Sequence, residues 1–448
     1  MKKLLCIVAI MAMIAPVTYA QVTESTDTVQ STLGRLSQDI DLLKRIKISG
    51  YIQTQFQYAD SSGQRSFGGG DFPVAVDKRF QLRRGRLKVQ YDAPVNAKGF
   101  STSQYVLQFD VTEKGVNIKD AYVKITDPWS GWVSLTAGMQ NRPFGYEITY
   151  SSSMRESPER GRMSQIIFPN ERDLGAMVTI QGPKTSNWNW IKLEAGMFNG
   201  TGAPDALVGV SDFDKFKDFI GRLGITRSNR AENIKYGLGV SYYMGGYRID
   251  SVNVYGFGKD TSGNDAFVVD AKAVDNYNGG LIGSRDHSKR NYLSVDAQFN
   301  IDWAPGLTTL RAEYIMGEQP GVAGTTKSTN AAVTTDIYKR NFDGMYFYFL
   351  QNILNTPLQL IVKYDWYDPN TDAEGDALGK AVAPGAKAFG ATDVKYETLG
   401  LGLAYRWDSN VKITAYYDNV KNETSNNLSG YTQDIRDDLF TLRLQVKF

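Results

Sequence analysis

From Lys47 to the C-terminus, apolar and polar residues alternate along the chain with a period of two. In KISGYIQTQFQY (47–58), Ile48, Ile52, Phe56 and Tyr58 share one parity, and Gln53, Gln55 and Gln57 take the other. In 102–112, Tyr105, Leu107, Phe109 and Val111 oppose Gln104, Gln108 and Asp110. The last segment, DDLFTLRLQVKF, sets Phe440, Leu442, Leu444, Val446 and Phe448 against Thr441, Arg443, Gln445 and Lys447. Successive side chains of a strand leave opposite faces, so this pattern predicts half-buried strands. Upstream, Val29, Leu33, Leu36, Ile40 and Leu43 recur at spacings of three and four and predict a short heptad helix. About two heptads are marginal alone. A single amphipathic helix and a segment that zips within an oligomer are both open.

Alternation alone fits a soluble sandwich as well as a barrel, and the connections separate the two. Tight turns are predicted at APVNAKG (93–99), DPWSG (127–131), DWAPG (302–306), NTP (355–357) and DSN (408–410). Between them lie long polar connections at 59–77, 141–172, 200–217, 248–288, 319–337, 368–393 and 421–436. Short turns at one end and long loops at the other are the habit of outer-membrane barrels. The spacing predicts an all-β chain forming a closed antiparallel transmembrane β-barrel of about sixteen strands.

Composition strengthens this. The chain holds 26 Tyr, 21 Phe, 7 Trp and 43 Gly, which suits a barrel with aromatic girdles at both membrane interfaces. Residues 1–20 read as a secretory signal peptide: Lys2 and Lys3, an apolar run from Leu4 to Ile14, then a small-residue cleavage site at Ala20. The one cysteine, Cys6, leaves with it, so neither disulfides nor thiol chemistry are expected. Lysine and arginine number 50 against 48 acids. That balance gives no footprint for nucleic acid, and any charge selectivity must be local. The predicted organisation is a signal peptide (1–20), a periplasmic segment with the heptad helix (21–46) and an outer-membrane barrel (47–448).

Several stretches resemble the phosphate-selective porin O/P family: KISGYIQTQF (47–56), KRFQLRRGRLKVQYDAP (78–94), WVSLTAGMQNRPFGYE (132–147), SPERGRMSQIIFPNERDLGAMV (157–178), EAGMFNGTG (194–202) and FIGRLGI (219–225). The resemblance covers the chain after the signal peptide and is strongest in its first half. It implies a sixteen-stranded, homotrimeric outer-membrane barrel of a Gram-negative bacterium, whose basic pore passes anions such as phosphate. It also implies that connection 141–172 folds into the lumen as a constriction.

Parity turns Arg84, Arg86 and Lys88 inward, because Leu87, Val89 and Tyr91 take the outer face. With the loop bases Arg142, Arg155, Arg160, Arg162 and Arg172 they form the candidate anion pathway. Guanidinium groups suit it, being planar, permanently charged and able to bond phosphate at two points. A charge count tempers the reading. Glu147, Glu156, Glu159, Glu171 and Asp173 balance the loop bases, so the arginines can equally be pairs that pin the loop.

Other chemistry finds little support. The one histidine, His287, stands in a loop without a nucleophile beside it, so no enzyme is expected. No cofactor or transition-metal set is marked. The Asp-rich SDFDKFKD (211–218) and DPNTDAEGD (368–376) have oxygen ligands suited to calcium but read better as solvated charge. A structural or adhesive barrel is the alternative to a channel.

Overall fold

The computed structural model describes residues 29–202, 212, 214–248, 253–270, 287–328 and 333–448. The signal-peptide reading, and parts of the long connections 200–217, 248–288 and 319–337, lie outside the described residues. So do Val29, Leu33 and His287 as side chains. The chain divides into two units at Arg45/Ile46. The first contains helix α1 (Val29–Arg45), with Leu36, Ile40 and Leu43 exposed along one stripe.

The alternating sequence forms strands over nearly its whole length. They are β1 Ile46–Ala59, β2 Lys78–Asp92, β3 Ser103–Thr112, β4 Gly115–Thr126, β5 Val133–Asn141, β6 Arg172–Gln181, β7 Ile191–Phe198, β8 Asp218–Ser228 and β9 Ile234–Arg248. There follow β10 Val254–Lys259, β11 Asp265–Val269, β12 His287–Trp303, β13 Gly306–Gly321, β14 Ile337–Asn352, β15 Leu358–Asp368, β16 Tyr396–Arg406, β17 Val411–Asn422 and β18 Leu439–Lys447. Each pairs antiparallel with its neighbour in sequence, except that β9 pairs with β12. The β10–β11 hairpin stands outside the ring and meets the start of β14 in parallel. Pairing of β1 with both β2 and β18 closes a barrel of 16 strands. Gly50 and Phe448 exchange backbone hydrogen bonds at 3.0 Å across the closure.

Burial runs opposite to that of a soluble protein. Gln53, Gln55 and Gln57 face inward and are 1%, 3% and 0% exposed, whereas Ile48 and Ile52 face outward and are 64% and 48% exposed. An outer surface of isoleucine, leucine and valine with polar residues inside is stable only against lipid. Trp129, Trp188, Trp303 and Trp407 are exposed at the short-turn end, and Tyr58, Tyr242 and Tyr417 toward the other, as interfacial girdles require. No described helix is long and apolar enough to cross a membrane, which says nothing of the strands.

Three connections escaped the sequence reading: 182–190 and 229–233 at the short-turn end, and the two-residue Glu113–Lys114 turn at the long-loop end. That last turn carries no Pro or Asn-Gly signal. Gly115 supplies its positive φ of 133°.

Candidate functional site

Residues 142–171 leave β5, cross the barrel interior and return to β6. Near their start, the backbone N–H groups of Tyr146 and Glu147 donate to Glu313 Oε2 on β13 at 3.1 and 2.9 Å. Gly145 N–H donates to Ser241 Oγ on β9 at 3.0 Å. Further along, Ser152 meets Tyr51 on β1 at 2.5 Å and Ser157 meets Tyr348 on β14 at 2.7 Å. The second half forms a short helix, α2 (Arg162–Ile167). Its Met163, Ile166 and Ile167 join Phe168 and Phe144 against inward aromatic residues of the far wall, including Tyr243, Tyr292, Phe342 and Tyr367. Inward aromatics in a wet lumen have no partner unless something apolar reaches them, and this segment does. One side of the barrel interior is thereby a dry core.

The opposite wall is wet and basic, and two β-bulges shape it. Register runs Gln53↔Arg84 and then Thr54↔Leu82, which leaves Arg83 as an extra residue. Across β3 and β4 it runs Gln108↔Asp120 and then Phe109↔Ile118, which leaves Lys119 extra. A bulge sends two consecutive side chains to the same face. Arg83 with Arg84, and Lys119 with Asp120, therefore all reach the lumen. Simple alternation assigns Arg83 and Lys119 to lipid, which is why the sequence reading missed both.

The loop acids bind wall arginines rather than loop arginines. Glu159 receives Arg83 Nε at 2.8 Å, Arg84 Nη2 at 2.6 Å and Arg443 Nη2 at 2.8 Å. Burial alone would raise its carboxyl, but Arg83, Arg84 and Arg443 together hold it well below the usual carboxylate range. Glu156 pairs with Arg311 on β13 at 3.1 Å. Burial likewise opposes the charge of Glu171, and Arg160 and Arg172 hold it well below its ordinary value.

The candidate pathway residues are distributed as follows. Arg86 pairs with Asp110 at 3.4 Å. Arg160 pairs with Glu171 at 3.5 Å and caps the carbonyls of Ser164 and Phe168. Arg172 grips Asp120 with Nε at 3.0 Å and Nη2 at 3.4 Å. Arg162 lies over the Tyr396 ring at 3.6 Å, with Asp437 at 3.9 Å. Arg142 is buried over Phe168 at 4.6 Å and donates to the Asn170 carbonyl, so it belongs to the dry side. Arg155 is buried with no acid partner. Lys88 has no acid partner either. Nor, among the described residues, do Lys119 and Lys124, two wall lysines that the sequence pattern did not single out.

Two cavities flank this wall. The upper one, of about 390 Å³, is lined by Arg83, Arg84, Lys119 and Arg160, and reaches the Glu113–Lys114 turn. The lower one, of about 740 Å³, is lined by Lys88, Lys124, Arg172 and Tyr122, and reaches Lys447 and Phe448 at the short-turn end. Arg86 and Glu171 line both, so the cavities meet there. Arg162 lines a separate space of about 50 Å³. The second Asp-rich loop is tied by its own contacts: Asp372 accepts from Asn341 at 2.9 Å and Asp376 from Asn426. Among the described residues no group of acids, histidines or cysteines is placed to hold a metal.

Comparison with known proteins follows the same lines. A family model described as phosphate-selective porin O and P matches residues 64–448. No curated protein matches the chain. Among solved structures, the outer membrane channel DcaP of Acinetobacter baumannii is similar at 12% identity and a TM-score of 0.50, covering 90% of this chain and 97% of its own. The outer membrane protein OmpT of Vibrio cholerae, in its trimer form, gives 10% identity and a TM-score of 0.47, covering 90% and 99%.

Proposed function

The chain belongs to the phosphate-selective porin O and P family of outer-membrane porins, and on that premise we propose that its channel passes small anions, phosphate among them, in preference to cations. The observation that carries this is the charge left over along the passage. Asp110, Asp120, Glu159, Glu171 and Glu194 each meet a base, whereas Lys88, Lys119 and Lys124 meet no acid. An anion descending from the upper cavity finds Lys119, then Arg86 at the junction, then Lys88 and Lys124. None of these is a closed cage, so it can leave as readily as it enters. Transport is diffusion down a gradient and needs no cofactor. In this reading the short turns and helix α1 face the periplasm, residues 1–20 are removed on export, and the barrel works as a homotrimer like others of its family. Residues 142–171 are the constriction.

Reconstitution in planar bilayers under a potassium chloride gradient tests it. An unpaired charge roughly 8 Å from the ion path is worth about 0.5 kcal/mol in water. Changing Lys88, Lys119 and Lys124 together to Gln should therefore lower the anion-to-cation permeability ratio several-fold. A cation-preferring wild type, or an unmoved ratio, would sink the proposal. A barrel without conductance would favour the structural or adhesive role.

A further inference from the structure

The Arg155 guanidinium is an unexplained charge within the lumen. The residue is 4% exposed, and its Nε and Nη1 atoms are buried without a hydrogen-bond partner among the described residues. Buried cations are ordinarily paired, because desolvation strongly disfavours an isolated one. The loop acids nearby are engaged elsewhere. Glu147 accepts the Gly161 N–H at 3.1 Å, Glu156 holds Arg311, and Glu159 holds Arg83, Arg84 and Arg443.

More positive charge converges on the same place. Lys412 on β17 donates from Nζ to the Arg155 carbonyl at 2.9 Å. Arg406 on β16 stands opposite Lys412 in the ladder. Both share the inward parity of the buried Ala404 and Thr414, and neither meets a carboxylate among the described residues. Like charges directly opposite one another destabilise a strand pair. The arrangement makes sense if an anion completes it. Ser151, Ser152 and Ser153, just before Arg155, line the lower cavity, which gives a solute its approach.

We propose that Arg155, Lys412 and Arg406 bind an oxyanion of the phosphate class at the margin of the lower cavity, apart from the junction at Arg86 and Glu171. The site would hold a solute beside the path and supply the discrimination between phosphate and chloride that free lysines, acting as point charges, do not. It rests on the anion-channel reading and sharpens it, but the two are measured separately.

The test uses the full-length protein with inorganic phosphate as the probe. Isothermal titration in detergent should find saturable binding of one phosphate per barrel, and phosphate should block chloride current in bilayers. Arg155→Gln and Lys412→Gln should each weaken both effects on the order of tenfold, as loss of a charge-assisted bond does. Arg155→Lys should retain part of the affinity. The Lys88, Lys119 and Lys124 variants should leave the titration unchanged while lowering the permeability ratio, so failure of the channel reading and failure of this site are distinguishable. Heat-modifiable gel mobility reports folding. If Arg155→Gln does not fold, Lys412→Gln and Arg406→Gln decide the matter, since Lys412 is only partly buried and Arg406 is exposed. A wild type that does not bind phosphate, or folded Lys412→Gln and Arg406→Gln variants that bind it as the wild type does, would overturn the proposal.

Discussion

At the scale of single residues, the lumen separates two uses of positive charge. Arginines are mostly paired and hold the inward segment in place. Lysines at the passage are mostly unpaired. Glu159 is the clearest case, because Arg83, Arg84 and Arg443 all converge on it. Removing its charge leaves three guanidiniums facing each other in a buried site, and breaking such a buried pair typically costs about 3–5 kcal/mol. Glu159→Gln is therefore expected to lower the thermal unfolding midpoint clearly and to make the open channel noisier as the segment loosens. Lys88→Gln, which breaks no pair, should leave the midpoint unchanged. Thermal melts followed by gel mobility, with single-channel recordings beside them, check both. Equal midpoints for the two variants would mean that the Glu159 cluster does not anchor the segment.

At the scale of elements, strand parity was legible from sequence and its local breaks were not. Gln53, Gln55 and Gln57 are inward because the pattern around them never slips. Arg83 and Lys119 are inward because it does slip, and a bulge is a feature of two paired strands that neither sequence shows alone. The same limit hid the Glu113–Lys114 turn, whose signal is one glycine. The charge count of the inward segment was read correctly as balanced, but its partners lie on β2, β13 and β18. Pairing across the barrel is a tertiary fact. The bulge makes a sharp prediction. Deleting Arg83 restores unbroken register, since Arg84 and Leu82 already pair with Gln53 and Thr54. That variant should still fold to a heat-stable barrel, losing only the Arg83 bonds to Glu159. Deleting Leu87 instead shifts one flank of β2 by one residue and exchanges its lumen and lipid faces, so it should fail to fold. Refolding yields in detergent compare the two, and equal yields would refute the assigned register.

At the scale of the whole molecule, the inward segment makes a wide barrel into a narrow one-sided channel. Its α2 face seals against aromatics on one side, and the basic wall of β1–β6 stays open on the other. The net field there is a small difference between many charges, so titration of one acid can move it. Asp437, in the connection after β17, is the acid outside the strands best placed to do so. Burial, with Asp434 and Asp438 adding and Arg162 opposing, pushes its carboxyl up to about 6. It shares the small space of Arg160 and Arg162 with the acids of the neighbouring wall. The folded value lies above the unfolded one of about 3.9, so this group costs stability as pH rises between the two and returns it on acidification. Loss of its charge also leaves Arg162 without its acid at 3.9 Å. Anion preference should therefore rise as pH falls from 7 to 5, with a midpoint near 6. Asp437→Asn should show the acid-side preference already at pH 7 and lose that step, while any step belonging to other carboxyls survives in both proteins. Reversal potentials measured across that pH range give the answer. An identical pH response in wild type and Asp437→Asn would show that Arg162 and Asp437 lie outside the field the ion feels.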